Sequence, residues 1–71
     1  MKLPRDVSGP EAVKALRRLG FSVTRQDGSH IRMSKAGFHV TVPNHKEILP
    51  KTLQALLRQA GLTLEEFIEN L

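Results

Sequence analysis

The sequence contains no cysteine. Disulfides and thiolate zinc sites are therefore excluded, and with them any positive sign of an oxidising compartment. No apolar run approaches the ~20 residues that a membrane-spanning helix requires. The opening Met1-Lys2-Leu3-Pro4-Arg5-Asp6 lacks the apolar centre of a signal peptide. A soluble, cytoplasmic protein is the expectation. Length is scarce too: 71 residues give one domain, 1–71. A chain of this size buries only about 60% of its unfolded surface, so its stability is marginal.

Acidic residues are few and unevenly placed. There are 11 Lys+Arg against 7 Asp+Glu, for a net charge of +4. Glu65, Glu66 and Glu69 all lie in the last 12 residues, which hold no base, so the first 59 carry 11 bases against 4 acids, or +7. Such a field attracts polyanions, nucleic acid above all. A basic surface kept only for solubility is the plainer alternative.

Local patterns set the architecture. Ser8-Gly9-Pro10-Glu11 has capping-box spacing. The helix it opens, about Gly9 to Leu19, presents Ala12, Val13, Leu16 and Leu19 as an apolar face. Lys14, Arg17 and Arg18 form a basic stripe on another face, which reads either as solvated surface or as a binding face. Gly20 suits the residue after the helix. From Phe21 to Val42 the period changes to two, with Asp27-Gly28 and Ala36-Gly37 as turns, so three antiparallel strands are expected. Aligning Val23 with Ile31 requires a first loop of odd length, three residues with Gly28 left-handed. The second turn needs only Ala36-Gly37, pairing Met33 with Val40 and Ile31 with Val42. Thr24, His30, Arg32, Ser34, His39 and Thr41 then share the opposite face.

Pro50 and Gly61 bracket a further helix with Leu53, Leu56, Leu57 and Ala60 on its inner face. A second capping box, Thr63 to Glu66, opens a short helix presenting Leu64, Phe67, Ile68 and Leu71. The order α-β-β-β-α-α predicts an α+β domain, a three-stranded antiparallel sheet with helices on one face. The double-stranded-RNA-binding fold has this order with one helix fewer.

The chemistry centres on the histidines. His30, His39 and His45 lack the i, i+4 helical spacing of a metalloprotease pair, and no acid is expected beside the first two, so no metal site is predicted. No Ser/His/Asp set or phosphate-binding glycine loop is evident. RNA, however, carries its own nucleophile in the 2′-OH. Cleaving it needs a group that moves protons and cations that stabilise the phosphorane. Imidazole, with a reference pKa of about 6.5, does the first at neutral pH. His30 is the candidate for that task. Arg32 on the same face, with Arg25 and Lys35 nearby, suits the second. Gly28, lacking a side chain, leaves room for a phosphodiester beside the turn, and Ser29 next to it is a candidate RNA contact and, with water, a candidate proton donor. An exposed histidine on a hairpin with no catalytic duty is the plainer reading of the same residues.

Gly28-Ser29-His30 after a strand, Val42-Pro43-Asn44-His45 closing the last strand, and Leu57-Arg58-Gln59-Ala60-Gly61-Leu62 followed by Glu65-Glu66-Phe67 resemble the HicA toxin family of small mRNA interferases. Lys2-Leu3-Pro4 and Ser8-Gly9 are also similar to the family. The resemblance implies a double-stranded-RNA-binding-like fold, metal-independent ribonuclease activity without a cofactor, and a HicB-like antitoxin that blocks the site. It places the catalytic histidine at His30. His45 matches a second family position without an assigned role. Three readings follow: an endoribonuclease acting on mRNA, a non-catalytic RNA-binding module of the same fold, or an interaction protein whose open face only docks a partner.

Overall fold

The computed structural model describes residues 7–71, so Lys2-Leu3-Pro4 lies outside the described residues. The elements run α1 (Gly9–Arg18), β1 (Ser22–Asp27), β2 (His30–Lys35), β3 (Phe38–Pro43), α2 (Pro50–Ala60) and α3 (Leu64–Glu69). This is the order read from the sequence. Both capping boxes form: Ser8 Oγ accepts from the Glu11 amide, and Thr63 Oγ1 accepts from the Glu66 amide. α1 closes with the Phe21 amide donating to Leu16 O at 2.9 Å and the Gly20 amide to Arg17 O at 3.0 Å. That paired closure satisfies carbonyls that the helix end would otherwise leave unbonded.

The sheet is antiparallel in the order β1-β2-β3. Its β2–β3 half has the register expected, Met33 opposite Val40 and Ile31 opposite Val42. The β1–β2 half differs. The turn holds two residues, Gly28-Ser29, with Asp27 opposite His30, Gln26 opposite Ile31 and Arg25 opposite Arg32. Continued without interruption, that register would place Val23 opposite Ser34 on the polar face. A bulge between Val23 and Arg25 instead restores Val23 to Met33. The extra residue is Thr24, whose hydroxyl donates to Arg32 O at 3.2 Å. Hydrophobic parity is thus satisfied by an inserted residue inside the strand, and the loop is not of odd length.

α2 and α1 both pack on β3, and α3 packs on α1 and α2. Leu16, Met33, Val42, Leu53 and Phe67 lie fully buried between these layers. Val7 and Ile48 join them, stitched together by the Ile48 amide donating to Val7 O at 2.7 Å. Some expected core members lie outside, and Ile68 is only half-buried. Val23 is 39% exposed on the edge strand, and Leu71, beyond the end of α3, is 44% exposed.

Candidate functional site

The face away from the helices is ordered in three rows across the sheet. Directly opposed residues point to the same side. The register therefore lines up Asp27–His30–Pro43, then Arg25–Arg32–Thr41, then Ser22–Ser34–His39. His30 is exposed at the start of β2, directly after the Gly28-Ser29 turn. At Gly28 φ is +57°, and a side chain there would meet nothing within 4 Å. The constraint at Gly28 is therefore conformational, and the space over the turn is open.

The turn is braced from behind. Ser29 O accepts from the Asn44 amide at 2.7 Å, which carries the β2–β3 pairing one step past the strands. The next carbonyl, of His45, accepts from the Gly9 amide at 2.8 Å, so the start of α1 is seated on the exit of β3. A Cβ on Gly9 would press on Pro43 O and stand 2.7 Å from Asn44 Cα. Only glycine permits that approach. His45 itself has an exposed side chain and contributes to this seat through its backbone.

The charges around His30 depart from the sequence reading. An acid does stand beside it: Asp27, opposite in the register. Arg25 Nε donates to Asp27 Oδ1 at 2.9 Å, and Arg32 Nε lies 3.7 Å from Asp27 Oδ2. The Arg25, Arg32 and Asp27 side chains are 69%, 60% and 42% exposed. Such pairs contribute only about 0–1 kcal/mol each in water. The two guanidiniums are therefore gathered by Asp27 without being locked by it.

Lys35 is placed elsewhere. Parity puts it on the side of Ile31 and Met33, where Nζ donates to Leu19 O at 2.6 Å and lies 6.0 Å from the centre of the Phe21 ring. Its cation serves the C-terminus of α1. Arg18, from the basic stripe, is likewise engaged, donating to Asn70 O at 3.1 Å. Arg25, Gly28, Ser29, His30 and Arg32 are thus brought together around the hairpin, and Lys35 is not.

A shallow groove crosses the same face. It is lined by Thr24, Arg25, Arg32, His39 and Thr41, with Met33, Val40 and Gln59 of α2. His30 is not among the groove's lining residues; its row neighbours the Arg25–Arg32–Thr41 row. Among the described residues no three His, Cys, Asp or Glu side chains gather as metal ligands do. Nor is any of the described helices long and apolar enough to cross a membrane.

No curated protein matches the chain. A family model described as the HicA toxin of bacterial toxin–antitoxin pairs matches residues 9–62. The matched span begins at the glycine seated against the exit of β3. It takes in the whole sheet and α2, and ends one residue past the Gly61 cap. The chain belongs to the HicA toxin family, whose members are the toxins of pairs completed by a HicB-like antitoxin.

Proposed function

We propose that this toxin is a cytoplasmic, metal-independent mRNA endoribonuclease in which His30 moves the proton. The observation that carries the reading is the position of His30 on the open face. Its imidazole is exposed directly after an unobstructed turn, with the Arg25 and Arg32 guanidiniums in the neighbouring row. The RNA 2′-OH attacks its own phosphorus as His30 takes its proton, and the P–O5′ bond breaks. The departing 5′ oxygen takes a proton from water, and a 2′,3′-cyclic phosphate remains. Arg25 and Arg32 stabilise the charge that builds on the phosphorane oxygens. Gly28 and Ser29 let the phosphodiester approach the turn. Lys35, held at the end of α1, has no part in this reading. A HicB-like antitoxin with an acidic surface would match the positive open face and cover His30.

The test is gel-resolved cleavage of a long mRNA by wild type and His30→Ala, with and without EDTA, beside circular dichroism. Cleavage by the variant should fall by about 10² to 10⁴. Its stability should stay within about 0.5 kcal/mol of wild type because the side chain is exposed. EDTA should leave wild-type activity unchanged. A folded variant that cuts at the wild-type rate would remove His30 from the reaction.

A further inference from the structure

The geometry points to the groove bounded by Arg32, His39 and Thr41 as a subsite for one unpaired nucleotide beside the scissile phosphate of a single-stranded RNA. The inference rests on the endoribonuclease reading and extends it to substrate recognition. The first support is position. His30 and Arg32 are two residues apart on β2, and at about 3.3 Å per residue their rows lie ~7 Å apart, roughly one nucleotide unit. The Ser34–His39 row is another two residues on. A chain whose reacting phosphate sits at His30 therefore lays its neighbouring nucleotide across the groove.

The second support is chemistry. The groove is lined by two arginines, a histidine, Thr41 and Gln59, beside the apolar Met33 and Val40. The Thr24 hydroxyl is already committed to Arg32 O, so it braces the wall. Guanidiniums bind phosphate and stack on bases, while amide, hydroxyl and imidazole read base edges by hydrogen bonds. The aromatic platforms on which single-stranded RNA commonly stacks are missing. The sequence has no Tyr or Trp, and its three phenylalanines lie off this face, Phe21 and Phe67 buried and Phe38 against Gly61. Recognition here therefore depends on hydrogen bonds and guanidinium planes. A base can enter such a groove only if it is unpaired, because an A-form duplex presents its sugar–phosphate surface instead.

Binding and cleavage are read separately. Binding is measured by anisotropy on a 2′-O-methyl oligonucleotide, which lacks the nucleophile and cannot be cut, so this arm holds even if His30 proves not to be catalytic. His39→Ala and Thr41→Val should each weaken binding about three- to tenfold, the loss expected for one hydrogen bond. Two exposed changes in α3, Glu65→Gln and Glu69→Gln, lie away from the open face, serve as controls and should alter it less than twofold. In cleavage, the two groove variants should raise KM with the pH profile retained, whereas His30→Ala should act on kcat. An abasic residue one step from the scissile phosphate, on the 5′ or the 3′ side, should reproduce the KM increase in wild type. A base-paired duplex should bind more weakly than the single strand. Unaltered binding in both groove variants, or no effect of an abasic residue on either side, would overturn the subsite. Tighter binding of the duplex would overturn the single-strand assignment.

Discussion

Asp27 and His30 close the β1–β2 hairpin as directly opposed residues on the same face of the sheet. Opposed side chains start about 5 Å apart at Cβ. The carboxylate also pairs with Arg25 and Arg32, so an anion already stands where a phosphate would meet the two guanidiniums. Replacing it with an amide releases both cations and removes a like charge from the path of the RNA. Asp27→Asn should tighten RNA binding about three- to tenfold at low salt, in keeping with ~1 kcal/mol for exposed charge pairs. It should also steepen the salt dependence, by about 0.7 in the logarithmic slope for each further phosphate neutralised. Anisotropy titrations at several salt concentrations measure both. Weaker binding by the variant would mean that the carboxylate holds the arginines in their binding geometry and does not compete with phosphate.

Gly9 is a case in which two effects oppose each other. In an unconstrained helix, replacing Gly with Ala stabilises by about 1 kcal/mol. Here the added carbon would stand 2.7 Å from Asn44 Cα and 3.1 Å from the His45 amide nitrogen. These backbone atoms at the exit of β3 cannot turn aside as a side-chain tip can. Overpacking of this kind costs roughly 1–3 kcal/mol or more, so Gly9→Ala should lower stability on balance. Urea unfolding gives the sign. Amide shifts of Ser29 and His30 should move as well, because Asn44 is bonded to the turn.

The start of α2 has room for improvement. Its N-cap is Leu49, which supplies no side-chain hydrogen bond and is 65% exposed. Leu49→Asp would accept from an open amide of the first turn and place a negative charge at the positive end of the helix. A gain of about 0.5–2 kcal/mol is expected. At 4–8 °C per kcal/mol for a domain of this size, a thermal melt resolves it. An unchanged or lower midpoint would show that Leu49 contributes packing that its exposure conceals.

Acid should loosen the other end of the molecule. The Glu66 carboxylate accepts from the Thr63 amide at 3.0 Å and from the Thr63 hydroxyl at 3.0 Å. These bonds, the backbone one first, hold its pKa below the ordinary glutamate value, with a smaller contribution from the charge of Lys35. A depressed folded-state pKa gives stability that is fully present above the unfolded value. That stability is lost as pH falls through the folded one. Glu66→Gln keeps a capping side chain but cannot titrate. The stability gap between wild type and variant should therefore be widest near neutrality and shrink once pH drops below about 4.3. Urea midpoints over that range, compared pairwise, test it.

The helices were legible because their signals are local. Ser8 with Glu11 and Thr63 with Glu66 announce two starts by spacing alone, and both capping boxes formed. Half of the sheet was legible for the same reason, since the Ala36-Gly37 turn fixes β2 against β3. The other half was not. Alternation shows that Val23 and Ile31 belong to the inner face, but an odd loop and an inserted Thr24 correct the parity equally well. Only the packed sheet chooses between them. That choice moves Arg25, already expected near His30, onto the open face and brings Asp27 opposite His30, and alternation alone gives neither placement. Lys35 was misplaced because sequence proximity to Arg32 says nothing of which side a long chain takes. Val7 and Ile48 escaped because they lie outside any periodic run.

The bulge at Thr24 has one more consequence. A three-stranded open sheet leaves two outer margins, and an uninterrupted outer strand is a template on which another chain can align and aggregate. In β1 the inserted residue breaks the even spacing of donors and acceptors along that margin and increases its twist. A second copy laid alongside would fall out of step after Val23. The same residue that restores hydrophobic parity inside the protein thus discourages accidental fibre growth outside it.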